Sequence, residues 1–116
     1  WLEFGVATGF SLNATCRALH RVAPRLQWEV HGFDTFTGLP ESWGRFKKGA
    51  FSMGGYLPSV DCGQLHKGLI DVTLPAWVAQ HGPAVVSRQA VIAGISVDVD
   101  LYSAATQILE NVVPLL

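Results

Sequence analysis

The sequence has little of what nucleic-acid-binding, membrane and disulfide-rich proteins need. Charged side chains make up only 15% of its 116 residues and the formal net charge is −1, so it lacks the basic stripe of a nucleic-acid surface. No apolar run approaches the ~20 residues of a membrane span, and no signal peptide is visible. Two cysteines provide neither a disulfide framework nor metal-ligand spacing. We therefore expect no nucleic-acid or membrane partner, reduced thiols at Cys16 and Cys62, and a cytoplasmic protein.

Apolar residues, by contrast, are plentiful. They make up 49% of the chain, which predicts one well-buried globular domain over residues 1–116. The sequence begins in a strand at Trp1 and stops at the end of a predicted helix, so we expect it to be part of a longer protein. Three arginines recur at fours, a spacing that favours the solvated face of a helix over a phosphate patch: Arg17, Arg21 and Arg25.

Periodicity along the chain alternates between strand and helix. The pattern predicts the order β-α-β-loop-β-α-β-α, which calls for a parallel sheet covered by helices. In the first half of the chain we expect a helix over Phe10–Val22 and a strand over Trp28–Phe33. A weak strand over Leu65–Ile70 precedes a helix that is capped by Asp71 or Thr73, has Pro75 in its first turn and ends before Gly82. A buried central strand over Val91–Val97 and a helix capped by Ser103 complete the chain. The last helix is expected to bury one face, formed by Ala105, Ile108, Leu109, Val112 and Leu116.

The opening segment WLEFGVATGFS reads as a strand, a glycine turn and the start of a helix. Gly5 and Gly9 let the backbone approach a ligand closely, and the helix offers free N–H groups at its positive end. Glu3 places a carboxylate just before the turn. This arrangement is typical of a loop that binds a nucleotide. These residues alone are equally compatible with an ordinary strand-to-helix turn that binds nothing.

Asp34 ends the second predicted strand. A dinucleotide-type fold places its ribose-binding acid about 20 residues beyond the glycine turn, and Asp34 lies at a comparable distance from Gly9. The alternative is a carboxylate that caps a turn. With the glycine corner one strand earlier, we favour ribose binding.

The segment Thr35–Tyr56 is long, rich in glycine and aromatic residues, and poorly periodic. Loops of this length inside a domain are usually lids or mobile insertions. The segment either closes over an organic substrate or wraps the core, and the residues give the two interpretations equal weight.

Asp98 and Asp100 follow the fourth predicted strand, where open α/β sheets bind their ligands. Two carboxylates at this spacing can hold Mg²⁺ or supply a general base. An isolated D-x-D pattern more often caps a helix or a loop, and it also occurs in metal-dependent nucleotide-sugar enzymes. The four histidines are scattered without ligand spacing, so none of them is assigned to a site.

Five segments together resemble class I S-adenosylmethionine-dependent methyltransferases, of the branch that includes the macrocin and mycinamicin O-methyltransferases. They are LEFGVATGFS, VHGFDTFTGLPESW, KGAFSMGG, HKGLIDVTLP and VDVDLYSAA, and they span nearly the whole chain in order. The resemblance implies a Rossmann-like methyltransferase fold, truncated here after its fourth strand. It also implies O-methylation of a small-molecule or sugar hydroxyl, with S-adenosylmethionine and Mg²⁺ as cofactors.

The resemblance further implies roles for individual residues. The amino-acid end of the cofactor would lie against Glu3, Gly5, Ala7, Thr8, Gly9 and Ser11; its ribose against Asp34 and Thr35; and its adenine near Gly68, Leu69 and Ile70. Asp98 would be catalytic and ligate the metal, and Asp100 would be a second catalytic residue.

The sequence departs from the family pattern in two places. The acidic pair that completes the family's metal site would lie beyond Leu116, and the stretch between Gly82 and Ile92 is longer than expected. We therefore expect little activity from this chain alone and self-association through an exposed sheet edge. The alternatives are a non-catalytic fragment that binds cofactor and a D-x-D nucleotide-sugar enzyme.

Overall fold

A computed structural model describes all residues from Trp1 to Leu116. Four strands and three α-helices follow one another along the chain, and the last helix continues into a 3₁₀ turn over Val113–Leu115. The strands are β1 (Leu2–Phe4), β2 (His31–Asp34), β3 (Gln64–Lys67) and β4 (Ile95–Val97). The helices are α1 (Phe10–Val22), α2 (Ile70–Val86) and α3 (Tyr102–Val112). None of the helices combines the length and the hydropathy needed to cross a membrane.

The four strands form one parallel sheet in the order β3-β2-β1-β4. Phe4 is paired with Phe33 on one side and with Val97 on the other, so three strands end at the same level. Parallel strands present their carboxyl ends at one edge, where α/β proteins bind ligands. The predicted α/β class, the order of elements and the parallel sheet with flanking helices are confirmed.

Helix α1 has the bounds that the sequence predicts. Gly9 lies directly before the helix in the left-handed region, with φ 78°. Because glycine has no Cβ, this backbone conformation causes little strain. The helix ends at Val22, shortly before Pro24, which cannot continue it. Arg17 lies on the solvated face and pairs with Asp61 at 2.5 Å, in agreement with the prediction of a solvated face.

The core consists of two apolar clusters. One packs the sheet against α2 and α3, and its buried residues are Leu2, Phe4, Phe33, Leu74, Trp77, Ile108 and Val112. The other packs α1 and the loop after β2 against the sheet, and its buried residues are Val6, Leu12, Cys16, Val30 and Phe36. The sheet is therefore covered by helices on both faces, as in doubly wound folds.

Several element boundaries differ from the predictions. Helix α2 begins at Ile70, with no side-chain cap, and runs through Pro75 and Pro83 to Val86. Gly82 is consequently a buried residue inside the helix and does not terminate it. Helix propensity alone disfavours these prolines, but packing of Leu74 and Trp77 in the core overrides that preference.

The strand predicted over Val91–Val97 is shorter and less buried than expected. Only Ile95–Val97 is a strand, it lies at the edge of the sheet, and Val97 remains 42% exposed. Its apolar composition alone indicated a central strand, and that prediction is wrong for this chain.

The two ends of α3 also differ from the prediction. The residue before the helix is Leu101, so Ser103 does not cap it. Of the predicted apolar face, Ile108 and Val112 are fully buried, whereas Leu109 and Leu116 are exposed.

The prediction of free thiols is also wrong, because Cys16 and Cys62 form a disulfide. Their Cα atoms are 6.0 Å apart although the residues are 46 positions apart in sequence. The bond joins α1 to the segment that precedes β3. Asn13 supports the same junction, since its side chain donates to the carbonyl of Ser59 and accepts from the amide of Asp61. The cytoplasmic prediction, which rested on reduced thiols, loses that support.

Candidate functional site at the carboxyl edge of the sheet

A cavity of about 370 Å³ lies at the carboxyl ends of β1, β2 and β4. Its volume falls within the roughly 300–1,000 Å³ typical of small-molecule sites. Its floor includes Phe4 and Phe33, whose rings stack with centroids 4.8 Å apart. Among the residues predicted for a site, those that line this cavity are Gly5, Ala7, Asp34, Thr35, Gly68, Leu69, Ile70, Asp98 and Asp100.

The glycine loop after β1 brings the first and fourth strands close together. Gly5 has φ 88°, and a Cβ built there would lie 2.1 Å from the carbonyl oxygen of Asp98. Any side chain at this position would therefore push the two strand ends apart. The absence of a side chain at Gly5 allows Asp98 to lie beside the loop.

The side-chain carboxylate of Asp34 holds this loop by accepting hydrogen bonds from the loop's backbone amides. Its Oδ2 accepts hydrogen bonds from the amides of Val6 and Ala7, both at 2.8 Å, and its Oδ1 accepts one from the amide of Phe36 at 2.8 Å. A carboxylate offers about four acceptor positions, so about one remains for a ligand. Asp34 thus both organises the loop and borders the cavity.

Glu3, Thr8, Gly9 and Ser11 do not line the cavity. The Glu3 carboxylate is buried beneath the loop and accepts a hydrogen bond from the Ser11 hydroxyl at 2.7 Å. Burial raises the pKa of Glu3; the hydrogen bond from Ser11 opposes this effect, and the nearby charge of Asp98 adds to it. In this conformation Glu3 therefore ties β1 to the first turn of α1.

The segment after β2 supplies one wall of the cavity. Phe36 and Leu39 are buried and anchor it, and the amide of Leu39 donates to the carbonyl of Ala50 at 2.9 Å. The wall itself consists of Gly38, Leu39, Pro40, Ala50 and Phe51. The start of the segment therefore packs into the core, and two short stretches on either side of its exposed middle border the cavity. Closure of the segment over a substrate stays a prediction. Individual wall residues were not predicted, because nothing in the sequence shows which side of an aperiodic loop faces inward.

A second groove, of about 510 Å³, adjoins the first. It lies between the segment Glu41–Gly44 and the start of α3, and it shares Val99, Asp100 and Leu101 with the first cavity. Trp43 stacks on Phe46 beside it, with ring centroids 5.9 Å apart. The two spaces meet at the D-x-D segment.

The structure also brings together histidines that the sequence left unassigned. Toward the opposite, amino edge of the sheet, His31 and His81 lie beside Glu29. His66, which is in register with Phe33 farther along the sheet, contacts His31. Burial lowers the pKa of His31 to about 4, although the hydrogen bond with Glu29 opposes this change. Burial also lowers the pKa of His66. Sequence spacing gave no signal for this group, because the residues come from two strands and a helix.

The chain is similar in structure to the calicheamicin methyltransferase CalS11. The superposition has a TM-score of 0.78 at 25% sequence identity, and it covers 99% of this chain and 52% of CalS11. The chain thus spans about half the length of this relative. No protein-family model matches the sequence, and no curated protein matches it.

Proposed function

From the methyltransferase-like fold shared with CalS11, we propose that this chain is the cofactor-binding part of an S-adenosylmethionine-dependent methyltransferase. The acceptor would be a hydroxyl group of a small molecule or sugar. The observation that carries the proposal is the cavity at the carboxyl edge, where the Gly5 loop, Asp34 and Asp98 converge within a fold of this class. The family branch suggested by the sequence remains part of the proposal.

The cavity walls fit the parts of this cofactor. The free acceptor position on Asp34 suits a ribose hydroxyl, and the apolar surface of Phe33, Leu69 and Ile70 suits the adenine ring. Gly5 and Ala7 present backbone rather than bulky side chains to the amino-acid end. Glu3 would act from beneath by fixing the loop through Ser11.

S-adenosylmethionine supplies an electrophilic methyl group when it is bound. The residues around the cavity would contribute mainly by positioning, because they would hold the acceptor oxygen toward that methyl group. In our proposal the acceptor enters through the groove beside Trp43, and the Asp98 carboxylate takes the proton from its hydroxyl. The wall formed by Gly38–Pro40 excludes water from the reacting atoms.

We also propose that Mg²⁺ binds beside the cavity. Asp98 and Asp100 offer the carboxylate oxygens that Mg²⁺ prefers, and this ion commonly keeps several water ligands. Neither residue belongs to a group of three potential ligands. Such an ion, when held there, would lower the pKa of the acceptor hydroxyl.

Calorimetry with S-adenosylhomocysteine and with a uridine-diphosphate sugar tests the proposal. We expect the first to bind with a 1:1 stoichiometry and the second not to bind. Ile70→Asp, which places a charge against the adenine wall, should weaken binding, whereas the exposed Val72→Asp on the same helix should not. Preference for the nucleotide sugar would favour the D-x-D alternative, and binding of neither would favour a non-catalytic fragment.

A further inference from the structure

The cluster at the amino edge of the sheet is built from two parts of the chain that are far apart in sequence. Glu29 lies just before β2, His31 begins β2, and His81 lies in α2. One ligand atom from each of these residues lies within 4.8 Å of the other two. The group is separate from the carboxyl-edge cavity, none of whose lining residues it shares.

The distances are close to those of a metal site. Nε2 of His31 lies 3.3 Å from Oε2 of Glu29, and Nε2 of His81 lies 4.0 Å from the same oxygen. Ligands bound to Zn²⁺ at about 2.0–2.1 Å in a tetrahedron are roughly 3.4 Å apart. The Glu29 side chain is 70% exposed, so it is free to move the short distance that closure requires.

Hydrogen bonds orient the imidazoles for this purpose. Nδ1 of His81 lies 3.1 Å from the carbonyl oxygen of Trp77. Because a carbonyl only accepts, Nδ1 carries the hydrogen and the neutral ring presents its lone pair at Nε2. Nδ1 of His31 lies 3.1 Å from Nε2 of His66, and Nε2 of His31 lies 3.3 Å from the Glu29 carboxylate, which only accepts. In the metal-free protein Nε2 of His31 therefore carries the hydrogen. A bound cation would replace that hydrogen, and Nδ1 would then carry one and donate it to His66. Metal-binding histidines are generally held by such a bond to the second nitrogen.

The surrounding packing also restricts the rings. His81 stacks on Trp77 with an angle of 10° between the ring planes, and His66 stacks on Phe33 with an angle of 15°. His31 is 2% exposed, whereas Glu29 opens to solvent. Two imidazoles held by packing and one movable carboxylate form a pre-organised site that opens to solvent on the side of Glu29.

We propose that Glu29, His31 and His81 bind a first-row divalent cation of the zinc type, with His66 acting as a positioning residue for His31. Two nitrogens and one carboxylate oxygen are a common donor set for zinc, whereas Mg²⁺ favours oxygen donors alone. The bound ion would fasten the middle of α2 to the start of β2. Its role would be structural, at the edge of the sheet opposite the cofactor cavity.

Isothermal titration of the chelator-treated protein with ZnCl₂ tests the site. We expect one ion per chain, a rise in the melting temperature, and no competition from excess Mg²⁺. Glu29→Gln and His81→Gln should each weaken binding by more than about tenfold. His20→Gln and Glu41→Gln, at exposed positions outside the cluster, are matched controls that should bind like the unaltered protein.

Two further measurements test which residues bind the ion. Co²⁺ in place of Zn²⁺ should give the visible absorption of a nitrogen- and oxygen-ligated ion, and His66→Gln should weaken binding less than His81→Gln does. Absence of binding, or binding that is unchanged in both Glu29→Gln and His81→Gln, would overturn the proposal. Retention of zinc binding in these variants but its loss in Asp98→Asn would place the ion at the carboxyl edge instead.

Discussion

At the scale of single residues, Asp34 both holds the glycine loop and is the ribose-binding residue of our proposal. Its carboxylate accepts three backbone hydrogen bonds, two of them from the glycine loop. Asp34→Ala should therefore weaken S-adenosylhomocysteine binding by on the order of 1.5–3 kcal/mol, the scale of hydrogen bonds to charged groups. Calorimetry should show a Kd about ten- to a hundredfold higher. Glu110→Ala, an exposed change on α3, is the control, and unchanged affinity in a folded Asp34 variant would refute the assignment.

His31 makes stability depend on pH. Its pKa is lowered to about 4 from 6.5, so the unfolded chain binds the proton first as pH falls. The free energy of unfolding of the metal-free protein should consequently drop between pH 6.5 and 4, by on the order of 3 kcal/mol at 1.4 kcal/mol per pKa unit. Glu29, His66 and His81 face this ring; the pKa of His66 is lowered too and adds to the loss.

Glu3 acts in the opposite direction, because its raised pKa favours the folded state at acid pH. Urea unfolding should therefore be followed in Glu3→Gln, with a chelator present, to isolate the histidine contribution. An NMR titration of the histidine rings measures the pKa of His31 directly. A value near 6.5 in the folded protein would contradict this prediction.

At the scale of secondary-structure elements, the disulfide fastens α1 to the segment before β3. Closing a loop of 46 residues stabilises the folded state by about 4 kcal/mol in the chain-entropy model. Reduction should lower the melting temperature of the protein, and Cys16→Ala/Cys62→Ala should have the same low value with or without reductant. Thiol titration of the unfolded, unreduced protein should detect no free thiol. Two titratable thiols would show that the bond does not form in solution.

The segment after β2 should combine slow and fast hydrogen exchange. Amides near Phe36 and Leu39 are anchored by burial and backbone hydrogen bonds and should exchange slowly. The exposed part over residues 41–48 should exchange fastest in the chain, as expected for a lid. S-adenosylhomocysteine should slow exchange at the wall positions Gly38 and Phe51. Exchange over 41–48 as slow as that in β4 would argue against a lid.

The success of sequence prediction differs between elements for physical reasons. Helix α1 was predicted to the residue because glycine, apolar periodicity and Pro24 all act locally. The bounds of α2 were not, because burial of Trp77 and Leu74 sustains the helix through its prolines. The edge position of β4 depends on which strands are neighbours, and apolar composition does not specify that.

At the scale of the whole molecule, parallel topology explains which site residues could be predicted. The position of Asp34 and Asp98 beside one cavity could be predicted because strand ends in a parallel sheet meet at one edge. The histidine cluster and the Cys16–Cys62 bond were missed because each joins residues far apart in sequence. Helix α2 connects the two edges, since Ile70 borders the carboxyl-edge cavity and His81 lies in the cluster.

The outer edge of β4 leads to a prediction about association. This strand pairs only with β1, and Val97 is 42% exposed there. In a parallel ladder alternate residues bond to opposite sides, and Asp98 donates to Phe4, so the backbone groups of Ile95 and Val97 face outward. An unpaired apolar edge is a template for another strand, and we predict concentration-dependent self-association.

Val97→Lys should make the protein monomeric in sedimentation experiments, whereas Val72→Lys, at an exposed position on α2, should not. A protein that sediments as a monomer at every concentration would contradict this edge-pairing prediction.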